Sequence, residues 1–170
     1  MKLKHLVLCG VLTAVALTIF IVEAQLPPPV PLPGIKPGLA NLVTLFALVF
    51  LSPREALGIL TARILLGCMF TGQPFTLLYS LTGGLACLAA EELVLRILGR
   101  HLVWAVSILG AMIHNTVQVM TALVVTQTPG VLWYLPPLIM VGILTGAFIG
   151  LCIRFIDRRY GQDIENIIKQ

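Results

Sequence analysis

Long apolar runs fill the chain, broken at short intervals by proline, glycine or charge. The runs predict six helices, over Leu6–Glu23, Leu39–Leu51, Arg54–Phe70, Phe75–Leu98, Leu102–Gln127 and Leu135–Asp157. Crossing the hydrocarbon of a bilayer takes about 20 apolar residues. By that measure the second segment is short and the third barely sufficient. Ser52-Pro53 divides those two, since proline disfavours helix at the residue before it and starts a new helix well. Pro74 and Pro136 sit likewise where the fourth and sixth segments begin. The polar remainder, RRYGQDIENIIKQ, is expected to form a short surface helix.

Composition turns this pattern into a class. Of 170 residues, 58% are hydrophobic and 11% charged, where a soluble domain carries about a quarter charged. The expected fold is all-α, a polytopic membrane bundle of about six transmembrane helices. Residues 1–170 form a single membrane domain, with 25–40 as an external Pro/Gly-rich loop and 158–170 as a cytoplasmic tail. The net charge of +4 does not indicate a nucleic-acid partner, because the basic residues stand singly at the ends of apolar runs and none form an Arg/Lys stretch with interleaved aromatics. Cys9, Cys68, Cys87 and Cys152 all lie inside apolar segments without CxxC spacing, which suits packing rather than a metal or disulfide framework.

Those isolated charges orient the bundle. With the N-terminus cytoplasmic, six spans place Lys2, Lys4, Arg54, Arg96, Arg100, Arg154, Arg158, Arg159 and Lys169 inside, nine of eleven basic residues. Lys36 is then external and Arg63 lies within a span. The bias predicts a multi-pass protein of the plasma membrane with both termini cytoplasmic. A rival reading takes Lys2, Lys4, the first apolar run and Val22-Glu23-Ala24 as a secretory signal, leaving five spans.

Polar groups at membrane depth are the candidates for function. Arg63 falls near the middle of the third segment, where a cation faces a cavity or a counter-charge. Glu23 or helix carbonyls are one set of partners; a carboxylate or phosphate on a ligand is the other. The fifth segment carries HNTVQ, with His114, Asn115 and Gln118 midway along it and His114 and Gln118 on one helical face. Interhelical hydrogen bonding is the plain explanation, and a ligand pocket the functional one. Asn41 and Thr44, with Tyr79 and Ser80, could converge on the same cavity. Trp133 and Tyr134 suit the membrane interface.

Between the first two segments, LPPPVPLPGIKPGLAN holds six of the eleven prolines. Proline removes backbone donors and fixes φ, so this stretch resists becoming helix. Gly34 and Gly38 permit sharp turns, which would let it roof a mid-membrane cavity as a stiff lid. Small residues mark close packing elsewhere: Gly142, Gly146 and Gly150 share a stripe on the sixth segment, and Gly58 and Ala62 a shorter one on the third. Gly10 and Ala14 on the first could pack internally or dock a partner membrane subunit.

Catalytic chemistry finds no constellation. Asp157 and Asp163 are the only aspartates and both are C-terminal, so the carboxylate cluster of a magnesium–diphosphate site is missing. Glu91-Glu92 ends the fourth segment, with Glu92 positioned to pair with Arg96. No Walker loop occurs. No enzyme activity, cofactor or metal is expected, and energising transport by ATP would need a separate ATPase chain.

The stretches PVPLPGIKPGLAN, RILLG, YSLTGG, GAMIHNTVQ and YLPPLIMVGILTGAFIGL together resemble the Gx transporter family, also catalogued as heptaprenyl diphosphate synthase component I. The resemblance covers about Glu23 to Leu151. That family looks similar to the substrate-binding S components of energy-coupling-factor transporters, which implies six helices, an external loop closing a ligand site, and a partner docking on the first helix. Its family-like positions here are Pro33, Gly34, Lys36, Gly38, Asn41, His114, Asn115 and Gln118, while Pro37 departs from the aliphatic residue expected. Lys36, Asn41, Arg63, Tyr79, His114, Asn115 and Gln118 are therefore the expected substrate-binding residues, and Gly10 and Ala14 the expected docking residues. The leading expectation is a membrane substrate-binding subunit for a small, anionic molecule. The alternatives are a non-catalytic accessory protein of isoprenoid or quinone metabolism, and a structural partner in a redox- or flavin-linked membrane complex.

Overall fold

The computed structural model describes residues 3–26, 36–72 and 74–169, and every regular element among them is helical. Six α-helices run in chain order: α1 (Leu3–Gln25), α2 (Asn41–Phe50), α3 (Pro53–Thr71), α4 (Pro74–Leu98), α5 (Val103–Thr126) and α6 (Leu135–Lys169). Short 3₁₀ turns, Arg100–Leu102 and Pro129–Tyr134, lead into α5 and α6. The all-α bundle expected from the apolar runs is the fold observed.

Local chemistry explains the breaks. Ser52 is extended (φ −147°) and its Oγ accepts from the Glu55 N–H at 3.3 Å while donating to Glu55 Oε2 at 2.8 Å. This reciprocal cap, with Pro53 in the first turn, starts α3 immediately after α2 ends. At its far end Gly72 takes the left-handed conformation (φ 63°) and returns its N–H to Cys68 O. The tail after Asp157 is helical, but it continues α6 without a break instead of forming a separate surface helix. Ile164 and Ile168 continue the apolar stripe and pack on the core, which outweighs the charge around them. At 35 residues, α6 is about 52 Å long and outreaches a hydrocarbon core of about 30 Å.

Three helical stretches are long and apolar enough to cross a membrane: Leu3–Gln25, Arg100–Thr126 and Pro129–Ile168. Their outer faces match that solvent. Val7, Val11, Val15 and Val22 stand exposed along α1, and Leu144, Phe148, Leu151 and Phe155 along α6, an apolar surface that water would not tolerate over such an area. Threonines at Thr13, Thr61, Thr116 and Thr145 return their hydroxyls to the carbonyl four residues back, satisfying them inside their own helix as hydrocarbon requires.

Packing follows the small residues. A Cβ on Gly146 would meet Ile108 Cα and Ser107 O at 2.8 Å, and one on Gly150 would stand 2.5 Å from Trp104 Cα. The stripe on α6 is therefore the seat of α5. Gly10 and Gly58 have nothing within 4 Å of where a Cβ would stand. The first turn of α1 meets the start of α3 and the last turn of α6 at one end of the bundle, where His5 Nδ1 lies 2.7 Å from Glu55 Oε1 and Nε2 lies 3.3 Å from Ile168 O. Arg100 donates to Glu165 Oε1 at 2.6 Å at the same end. Residues 36–40, which lead into α2, lie against the C-terminal turn of α1, where Glu23 accepts the Gly38 and Leu39 amides.

Candidate functional site

Nine residues from five helices and the α1–α2 connection enclose one small void: Phe20, Glu23, Lys36, Gly38, Asn41, Arg63, Ser80, His114 and Gln118. Each arrives for a local reason. Gly38 takes a positive φ of 86°, and a Cβ there would press on Asn41 Nδ2 at 3.0 Å and His114 Nε2 at 3.5 Å. Glycine thus serves both the turn into α2 and the approach of α5. Gly83 does the same on α4, where a Cβ would lie 2.9 Å from Gln118 Cγ and 3.0 Å from His114 O. Phe20 lies on α3 because Gly67 has no side chain to hold it off.

The polar groups are buried and only partly satisfied. Arg63 is 3% exposed and donates from Nη2 to Asn41 Oδ1 at 2.6 Å, while its Nε has no partner. Glu23 Oε1 accepts the Gly38 N–H at 2.5 Å and the Leu39 N–H at 3.0 Å, clamping the end of α1 to the entry of α2. Lys36 sets its Nζ 3.8 Å above the Phe20 ring and makes no hydrogen bond there. Burial pushes the Lys36 amine below its ordinary value, opposed by the nearby Glu23 carboxylate. His114 Nδ1 and both amide atoms of Gln118 are also buried without partners. Two cations face one carboxylate here, so the lining carries an excess positive charge. The void measures about 10 Å³, room for roughly one water.

Of the seven residues expected to bind substrate, the structure brings five together: Lys36, Asn41, Arg63, His114 and Gln118. Asn115 turns the other way and donates to Leu138 O at 2.7 Å, joining α5 to α6. Tyr79 packs with Val119, Ala122, Val131 and Leu138 in a separate apolar cluster. Glu23 and Phe20 were not among the expected binding residues. An acidic residue closing an apolar run was the available signal for Glu23; nothing in the pattern singles out Phe20. Pro33, Gly34 and most of the expected lid lie outside the described residues.

The heptaprenyl diphosphate synthase component I family matches residues 12–156, a stretch that contains α2 to α5 entire and every residue of the void. The chain belongs to that family. No curated protein and no solved structure matches the chain. A family named as component I implies a second component. In this component I chain, among the described residues, no three His, Cys, Asp or Glu side chains gather as a metal site would require.

Proposed function

We propose that this chain is a membrane-embedded substrate-binding subunit that takes a small anionic molecule into the Arg63–Lys36–His114–Gln118 cluster and works with a membrane partner and a separate ATPase. One observation carries the reading. Lys36 Nζ, Arg63 Nε, His114 Nδ1 and both Gln118 amide atoms are buried without partners, and all belong to residues lining one void. Leaving a polar group buried and unpaired costs about 1–3 kcal/mol, more when it is charged. Five such atoms at one place suit a site that a ligand completes. The excess positive charge favours a carboxylate or phosphate.

The site is nearly closed, so entry requires the α1–α2 connection to move. Glu23 holds the described end of that connection through the Gly38 and Leu39 amides. For the partner, a groove of about 570 Å³ between α1 and α3 is lined by Leu6, Cys9, Gly10, Thr13, Gly58 and Ala62. Gly10 and Ala14 face outward, which fits docking of a second membrane helix. The charge bias along the sequence orients both termini to the cytoplasm of a plasma-membrane protein and the site to the outside.

Family membership favours a second reading, a non-catalytic membrane component beside a prenyl diphosphate synthase. Native mass spectrometry of protein purified gently from its membrane decides between them. A bound small molecule of defined mass, lost in Arg63→Gln, supports the substrate-binding subunit. An empty protein, with the synthase partner retained, supports the accessory component.

A further inference from the structure

Gln118 makes a demand on a ligand that a bare anion does not meet. The side chain is 0% exposed, lines the void, and has no hydrogen bond to either Oε1 or Nε2. An amide offers an acceptor oxygen and a donor nitrogen, so one of each is open whichever way round the group is set. Its stem rests on α4, where a Cβ at Gly83 would stand 2.9 Å from Gln118 Cγ. Lys36 Nζ and Arg63 Nε are unpartnered as well, but ammonium and guanidinium groups only donate. An ionised carboxylate or phosphate presents only acceptors, so it can serve Lys36, Arg63 and Gln118 Nε2. Gln118 Oε1 is then left buried without a donor, which is the expensive way to leave a hydrogen-bond set incomplete. The void has room for about one water. A molecule that fills this space displaces any water serving Oε1 and has to bring the donor itself.

We propose that the molecule taken into the cluster carries, beside its anionic group, an amide edge whose C=O and N–H pair with Gln118 in two hydrogen bonds. This deepens the substrate-binding reading and rests on it. Two-point pairing requires the C=O and N–H to lie on the same side, as they do in a primary amide or in a ring lactam or imide. An open-chain secondary amide is trans and points the two groups apart. Side-chain amides make this kind of contact elsewhere, since Asn and Gln read the adjacent donor and acceptor of adenine with two bonds. The ligand is thus held at two places, its anion by Lys36 and Arg63 and its amide edge by Gln118 on α5. His114 Nδ1, one turn before Gln118, is also buried without a partner and can add a third contact.

Two measurements on the full chain test this. The small molecule released from gently purified protein is analysed as a negative ion sprayed from heavy water. Its accurate mass should give a formula containing nitrogen, and the ion should gain mass because its N–H exchanges for deuterium. An anion without nitrogen, or without exchangeable hydrogen, overturns the amide edge and leaves the anion site standing. For protein that purifies empty, orotate and its N,N′-dimethyl derivative decide, since both carry one ring carboxylate and only orotate keeps its N–H groups. By isothermal titration calorimetry, stripped wild type should bind orotate about tenfold or more tightly than the dimethyl derivative, the usual discrimination of a two-bond amide contact. That advantage should vanish in Gln118→Leu, while Arg63→Gln weakens both probes. Equal binding of the two probes by wild type overturns the amide edge alone. Binding of neither overturns it together with the anion site.

Discussion

Arg63 on α3 and Asn41 at the head of α2 are 22 residues apart in sequence and meet through a 2.6 Å hydrogen bond, both almost wholly buried. That bond fixes the guanidinium at the void, with its Nε buried and unpaired. Asn41→Leu removes the acceptor and strands a buried cation. A hydrogen bond to a charged group is worth about 1.5–3 kcal/mol, so thermal denaturation in detergent should show a loss of that order. Adding Arg63→Met should restore much of it, since the orphaned charge is gone. A double variant no more stable than Asn41→Leu alone would assign the loss to packing instead.

Glycines that look alike in sequence should behave oppositely. Gly146→Leu drives a side chain into the Ile108 and Ser107 backbone, which cannot yield as a side chain could. The expected cost is about 3 kcal/mol or more, read as a lower melting temperature and poor recovery from membranes. A Cβ on Gly10 would meet nothing within 4 Å, so Gly10→Leu should change stability by no more than about 0.5 kcal/mol. It should nevertheless weaken co-purification of the membrane partner, because it fills the groove beside Ala14. Unchanged partner recovery would place docking elsewhere.

Lys36 gives the protein a pH dependence with a definite sign. Its folded-state amine is held below the ordinary 10.5 by burial. Between that lowered value and 10.5 the unfolded chain binds more protons than the folded one, so stability rises as pH rises through this alkaline window. Melting temperature against pH should show the rise in wild type and a flatter profile in Lys36→Met. An anion bound beside Lys36 favours the charged amine and should reverse the slope.

The helices were legible because bilayer hydrocarbon demands long apolar runs, and proline and the Ser52–Glu55 cap mark their ends in the sequence itself. The predicted start and end of α4, α3 and α5 fall within a residue or two of those observed. The run-on of α6 was missed because Asp157, Arg158, Arg159 and Gly161 read as a stop, whereas Ile164 and Ile168 find the core only once the bundle is assembled. Arg63, His114 and Gln118 declared themselves as polar groups where lipid should be. Helical spacing separates Gln118 from Asn115 by less than one turn, too little to say that one faces α4 and the void while the other faces α6. The same limit hid Phe20, whose place depends on Gly67 of another helix. Glu91 was noticed only as the neighbour of a surface ion pair, since its burial depends on the absence of a side chain at Gly110.

Gln118 is the sharpest test, because the cluster either exists to bind a ligand or serves to hold helices together, and the two predict opposite signs. Both of its amide atoms are buried and unpaired, and a leucine of similar size would relieve that burden. The measurement is the melting temperature of purified, ligand-free Gln118→Leu beside wild type stripped in the same way. The account predicts a variant as stable as wild type or more so, which no longer retains a small molecule when purified without stripping. A loss of stability comparable to that of Asn41→Leu would contradict it, marking Gln118 as structural glue.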